Sequence, residues 1–473
     1  MDKTRAIIIG AGLAGLGAAW ELSERGIPPL VIEQMPYVGG MAGSIGRNGY
    51  IFDFGIHGLF TSQKGNEAVV ERVRSLLGDE LFQVQKRTAI FFNGRYINYP
   101  LRFRDMFRAL DVRQMIVCFL DFSFTRIRRR LGYKINEESF EGWIKSHFGS
   151  ALYNIYFGPY AEKVWGVSCA KLSSSQLLRR VTTVSLWDIV KKAARRLIGL
   201  SAERKNEYSQ QPQVFLYGRR GAGVMAEKIK DAIERNGGMF LFEHRVEGID
   251  LAPDGRVASV RVRDKSGAEK VLECDYLISS MSLPRLVRSL NPQPPKETLL
   301  AADELRYRAI LFINIQLARP RVYGAQWVYY SDERTLFNRV NEYPNLGSKY
   351  FAPEGRTSLS IEVTAFDGDD LWNRPDEDLF KRCLSDLTKL GLIREEEVEG
   401  YFIARLPSVY PLFEIDTDRY LAKVMELVSG IENLNTIGRQ GRFKYMNMDE
   451  VLLEGIEASR KVLDSVRGAQ GRA

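Results

Sequence analysis

The stretch Arg5–Glu33 reads RAIIIGAGLAGLGAAWELSERGIPPLVIE, and its succession of apolar run, glycines, helical pattern and second apolar run decides the fold. Arg5–Ile9 is a short, continuous apolar run, as a parallel strand covered on both faces requires. Gly10-Ala11-Gly12-Leu13-Ala14-Gly15 follows, then apolar residues at helical spacing to Arg25, then a second strand that ends on the acidic Glu33. This is a βαβ unit with a GxGxxG turn and an acid about twenty residues beyond it, an arrangement that binds a dinucleotide. Gly10 permits the tight turn, Gly12 lets the backbone approach a pyrophosphate, and Gly15 lets helix and strand close on each other. Leu13 and Ala14 open the helix, whose free N–H groups and dipole hold the phosphates. Glu33, followed by Gln34, accepts the ribose hydroxyls, and its charge disfavours a 2′-phosphate.

Just beyond the acid, PYVGGMAGS supplies Gly39-Gly40 and then Met41-Ala42. A second glycine turn at this distance is similar to the extension that runs beside the flavin end of the cofactor in two-dinucleotide-binding flavoproteins. The expected cofactor is therefore FAD.

The remaining composition is that of a globular protein: 473 residues, 45% hydrophobic, 27% charged and 11% aromatic, which excludes disordered and fibrous classes. Four dispersed cysteines and three histidines (His57, His147, His244) give no disulfide framework and no metal site. No run of about 18 apolar residues is present, and the N-terminus meets glycines too early for a signal peptide, so a cytoplasmic location is expected.

The length suggests several domains. The predicted fold is α/β: a Rossmann-like FAD-binding domain of the two-dinucleotide-binding type, built from discontinuous segments, with an inserted helical and β-rich substrate domain. The expected division is 1–100, 206–285 and 421–473 for the cofactor domain, 101–205 for a mostly helical substrate or lid domain, and 286–420 for a β-rich substrate domain. Phe140–Phe157 and Ser173–Ile198 have the clearest helical periodicity, whereas ILFINIQL, QWVYYS and TSLSIEVTA between 305 and 365 read as strands.

Three further segments resemble the flavin superfamily of amine oxidases, protoporphyrinogen oxidases and UDP-galactopyranose mutases. They are Phe52-Asp53-Phe54-Gly55-Ile56-His57, Pro159-Tyr160-Ala161-Glu162-Lys163-Val164-Trp165-Gly166, and the run Gly438–Asp449, GRQGRFKYMNMD. The resemblance implies that Gly10, Gly12, Gly15, Glu33, Gly39 and Gly40 bind the ADP half of FAD, and that Met41, Ala42, Gly55 and His57 line the flavin. Val246 would meet the adenine, and Gly438, Arg439, Asn447, Met448 and Asp449 would complete the site. His57, Trp165 and Tyr445 would face the substrate. The implied activity is an FAD-dependent oxidoreductase taking hydride from a substrate C–H bond, with sugar nucleotides and lipid-linked intermediates among the candidate substrates. The alternative is a mutase-like enzyme that uses reduced flavin N5 as a nucleophile without net redox change. Phe60 and Val184 occupy places that hold a histidine and an arginine in the mutases, and both departures favour the first reading. Tyr410, in ARLPSVYPLF, resembles a strand position near the flavin, where packing explains it equally well.

The net charge of +8 is concentrated: residues 102–134 carry nine Arg/Lys against three Asp, and 179–205 carry eight against two acids. Nucleic acid is not expected, because no recognition module accompanies these segments. The implied partners are a small-molecule substrate, anionic or partly apolar, and a membrane surface met by 102–134, where MIVCFLDFSF lies between arginines. The sequence leaves the oligomeric state unassigned.

Overall fold

The computed structural model describes residues 6–59, 65–99, 110–133, 136–177 and 214–470. The segment 179–205, the residues 102–109, Phe60 and Val184 lie outside the described residues.

The opening βαβ unit consists of strand β1 (Ala6–Ile9), helix α1 (Leu13–Glu24) and strand β2 (Leu30–Ile32). They centre a five-stranded, fully parallel sheet in the order 434–436, 276–279, β1, β2, 239–241. Alternation along β1 sends Ile8 to one face and Ile7 and Ile9 to the other. The Ile8 face is covered by α1, by Gly223–Arg235 and by the C-terminal helix Met448–Gln470, which contributes Leu452 and Ile456. The opposite face packs on a four-stranded sheet built around His244–Leu251 and on helices Leu283–Ser289 and Thr417–Ser429.

α1 and the C-terminal helix approach almost backbone to backbone. A side chain at Gly455 would come within 2.0 Å of the Ala14 carbonyl oxygen, and one at Gly17 within 2.5 Å of that of Leu452. This close crossing aims the N-terminus of the last helix at the same point as that of α1.

A second layer is a seven-stranded sheet containing Val398–Pro411, Tyr307–Leu317, Thr357–Ala365, Arg339–Asn341 and Trp327–Tyr330. Thr88–Phe92 and Arg95–Tyr99, which fall inside the first expected cofactor segment, pair into this sheet instead, through the parallel register Val328↔Ala89. Ile90 and Phe92 are buried there, which fixes them to this layer. One face of the sheet packs on helix Asp376–Lys389 through Leu359, Ile361 and Val363. The alternate residues Ser358, Ser360, Glu362 and Thr364 are polar, yet they are buried too. On that face Glu362 pairs with Arg339 and Thr364 donates to the Lys163 carbonyl at 3.0 Å.

The helical segment runs Val112–Arg130, Phe140–Phe148, Ser150–Leu152 and, after a π-turn at Tyr153–Phe157, Gly158–Trp165. The continuous periodicity over 140–157 is interrupted at Gly149, whose φ of +88° ends one helix before the next begins. No helix among the described residues is long and apolar enough to cross a membrane.

Candidate functional site

The parallel sheet, the two converging helix N-termini and the edge of the seven-stranded sheet enclose a cleft of about 890 Å³. Most of the expected cofactor residues line it: Gly10, Gly12, Leu13, Ala14, Glu33, Gln34, Gly39, Gly40, Met41, Ala42, His57, Val246, Gly438, Arg439, Asn447 and Met448.

The glycine turn explains itself residue by residue. A side chain at Gly15 would lie 1.9 Å from the Gly10 carbonyl oxygen, so this position serves the close packing of α1 on β1. At Gly12 a Cβ would meet nothing within 4 Å, because the backbone there faces the open cleft. The second glycine turn is hydrogen-bonded onto the first, Gly39 N–H donating to the Ala11 carbonyl at 2.8 Å. The Glu33 carboxylate accepts from Ala11 N–H at 2.7 Å and from Met35 N–H at 2.9 Å. Burial raises its pKa against those bonds. Glu33 therefore ties the first glycine turn to the end of β2 and to Met35 just beyond it, besides presenting an acid to the cleft.

At the other end, the Arg439 guanidinium donates to the Met446 carbonyl at 2.6 Å and lies 4.7 Å from the Tyr445 ring and 5.4 Å from the Tyr410 ring. Gln440 donates to the Ser408 carbonyl at 2.9 Å, which joins the last cofactor segment to the seven-stranded sheet. His57 Nε2 is 2.7 Å from the Phe54 carbonyl, so that nitrogen carries the proton. Burial, reinforced by Arg439, lowers its pKa to about 3, and the ring is neutral at physiological pH.

Three expected cofactor residues do not line the cleft. Gly15 is covered by the turn itself. Gly55, at φ +88°, lies under Arg339 and Glu362, where a Cβ would come within 2.9 Å of the Arg339 guanidinium. Asp449 is fully buried: one carboxylate oxygen accepts from Asn66 at 2.7 Å and the other has no hydrogen-bond partner among the described residues.

Trp165 also differs from its expected place. It is buried in a cluster with Phe140, Ile144, Cys169 and Leu172, behind Tyr410, whose ring centroid is 6.4 Å away. Its whole motif acts in positioning. Glu162 accepts from Cys169 N–H at 3.0 Å, and Lys163 donates to the Asp332 carbonyl at 2.6 Å and to Thr335 at 2.8 Å. Gly166 caps the helix in a left-handed conformation against Arg308. Tyr445, by contrast, is partly exposed at 39%.

Several site residues escaped sequence reasoning. Arg339 and Glu362 are direct cross-strand partners and form an ion pair at 2.5 Å, with Asn341 donating to the same carboxylate oxygen at 2.8 Å. Glu362 holds Arg339 protonated despite burial. Tyr410, which the family resemblance had already marked, is half-buried in the field of this pair. His244 lines the cleft beside Val246, and its Nδ1 is 2.7 Å from the Phe242 carbonyl. Arg285, Arg288, Arg306 and Arg405 also line the cleft, the last three paired with Asp303, Glu414 and Asp376 respectively. The acid in the middle of TSLSIEVTA was the available signal for the ion pair.

The model of the flavin-containing amine oxidoreductase family matches residues 13–463. The chain belongs to that family. FAD is its cofactor, and the open backbone at Gly12, the acid at the end of β2 and the two converging helix N-termini fit it. Among individual proteins, the chain is 22% identical over 435 residues to the "Probable zeta-carotene desaturase" of Synechococcus elongatus, covering 86% of this chain and 84% of that one. It is 24% identical over 214 residues to the mitochondrial protoporphyrinogen oxidase of Nicotiana tabacum, over 44% of this chain and 41% of the relative. Among solved structures, reduced UDP-galactopyranose mutase superposes with a TM-score of 0.81 at 24% identity, over 98% of this chain and 96% of the other. That likeness is one of fold.

Proposed function

We propose that this flavin oxidoreductase accepts hydride from a C–H bond of a small substrate that carries an anionic group and an apolar part. Flavin, when bound, supplies the hydride acceptor. The observation that carries the reading is how the polar side chains around Gly55 are engaged. His57 is neutral there with Nε2 engaged, and the Glu362 carboxylate is occupied by Arg339 and Asn341. Neither group is poised to remove a proton at neutral pH, whereas hydride transfer demands chiefly orientation. Arg439 supplies fixed positive charge for an anionic group and for charge developing on the cofactor side. Tyr410 and Tyr445, stacked against Arg439, offer aromatic surface for the apolar part.

The test is anaerobic mixing of the FAD-loaded protein with a panel of anionic C–H donors while the oxidised flavin absorbance is followed. Bleaching by a donor, slowed when its C–H is deuterated, is the expected result. A panel without any bleaching, from a protein whose flavin dithionite reduces normally, counts against it.

A second reading, isomerisation of a sugar nucleotide on the reduced cofactor, draws support from the full-length likeness to UDP-galactopyranose mutase. It requires turnover only in the reduced state and no net consumption of reductant.

A further inference from the structure

Helix Val112–Arg130 stands apart from the rest of the molecule in how little of it is covered. Its inner side packs against Phe140–Phe148 and Ser150–Leu152, and Asp121 there accepts from Ala151 N–H at 2.7 Å. Thr125 is its one buried residue. The outer side carries Val112, Ile116, Leu120, Phe124, Ile127 and, just past the end, Leu131, all more than half exposed. Their spacing of four, four, four, three and four residues is a single stripe on one helix face. Phe119, 61% exposed, adds to it, and Tyr133 follows beyond the last turn. An exposed apolar stripe of this length is not the ordinary surface of a protein facing water alone.

The charges on the same helix specify what covers the stripe. Arg113, Arg126, Arg128, Arg129 and Arg130 oppose one acid, Asp121, which is engaged on the inner side. Arg113 and Arg130 fall on the helix sector of the stripe itself, and Arg128 borders it. Arg128 lies 5.7 Å from the Phe124 ring and 5.3 Å from the Tyr133 ring, its stem along apolar surface and its head outward. The capping box formed by Asp111 and Gln114 makes the helix a regular rod from its first turn. A polyanion such as nucleic acid would use the arginines but leave the phenylalanines and leucines in water. A bilayer interface rich in anionic lipid satisfies both, taking the apolar stripe at the level of the acyl chains and the arginines at the phosphates.

We propose that this helix is a membrane-docking element that lies flat on an anionic lipid surface. The two contributions act together, since neither a short apolar stripe nor a few cations alone anchors a protein stably. The proposal stands independently of the reaction assigned above.

The test is co-sedimentation of the full-length, FAD-loaded protein with vesicles of phosphatidylcholine alone and of equal parts phosphatidylcholine and phosphatidylglycerol. The protein is expected to sediment with the mixed vesicles and to be released as salt is raised. The triple variant Arg113→Gln/Arg128→Gln/Arg130→Gln is expected to bind about 100-fold more weakly, at roughly fivefold per arginine. The triple variant Ile116→Ser/Leu120→Ser/Phe124→Ser is expected to lose binding while retaining its flavin spectrum. Binding no better to mixed than to neutral vesicles overturns the proposal. So does a soluble dimer that ignores vesicles and is split by the serine variant, because a second copy would then be the occupant. Since the salt and lipid dependence of the unaltered protein decide the matter by themselves, a variant that fails to fold leaves the test intact.

Discussion

The cofactor end of the cleft and the floor beneath Gly55 are built by opposite means. At the cofactor end, backbone does most of the work: two glycine turns laid on each other, two helix N-termini, and one carboxylate that ties the first turn to the end of β2. At the floor, side chains do it, each contributed singly by a different strand: Arg339, Glu362 and Tyr410, with Arg439 from the opposite wall. Backbone devices need fixed spacing within one stretch of sequence. Side-chain devices need only the right tertiary register, so they leave no local motif.

Substitutions can break that contrast. The largest expected effect is at Gly15, where valine would drive Cβ into the Gly10 carbonyl oxygen. A loss on the order of 4 kcal/mol or more is expected, read as failure to obtain folded protein or a collapse of Tm. On the floor, Arg339→Met leaves Glu362 buried and unpaired and is expected to cost about 3–5 kcal/mol in denaturant unfolding. The double variant Arg339→Met/Glu362→Met is expected to recover most of that loss. A double variant as damaged as the single one would show that the pair is more than a self-compensating unit.

His57 sharpens the comparison through pH. Its folded-state pKa of about 3 lies below the ordinary 6.5, so between those values the unfolded chain binds the extra proton. Stability from this group is therefore complete above pH 6.5 and is lost as pH falls toward 3, by up to about 5 kcal/mol. His57→Asn is expected to flatten the acid limb of the stability profile by that order, measured by urea unfolding across pH. The unaltered protein is expected to show no inflection from this imidazole in its flavin-reduction rate near neutrality.

Gly12→Ala separates cofactor binding from folding. Its backbone, at φ −71°, suits alanine, and the methyl enters open cleft. Apoprotein stability is expected to stay within about 0.5 kcal/mol, while FAD affinity falls roughly 100-fold, about 3 kcal/mol. Tyr445→Phe, at a partly exposed ring, is expected to act least, below about 1 kcal/mol in KM and without effect on Tm.

What was legible in the sequence follows the same division. Residues 5–42 announced the parallel sheet, the turn and the cofactor because each step there is local. GRQGRFKYMNMD was equally readable, since it too is a turn leading into a helix N-terminus. The Trp165 motif was read as a substrate contact, but its glutamate bonds the Cys169 backbone, its lysine the Asp332–Thr335 loop, and its tryptophan is buried behind Tyr410. Strand Thr357–Ala365 carried the clearest unread signal. Its alternating polar residues suggest a solvated face, and only the sheet's placement over Gly55 turns that face inward. Sequence gives the period of a strand, while which side meets water is settled by packing.

The measurement that tests the assigned reaction most directly is chromatography of UDP-galactofuranose after anaerobic incubation with the FAD-loaded protein, oxidised and dithionite-reduced. With a donor-bleached sample as the positive control for flavin competence, the oxidoreductase account expects no pyranose from either form. Conversion by the reduced form alone, without consumption of reductant, would contradict it and make the enzyme an isomerase.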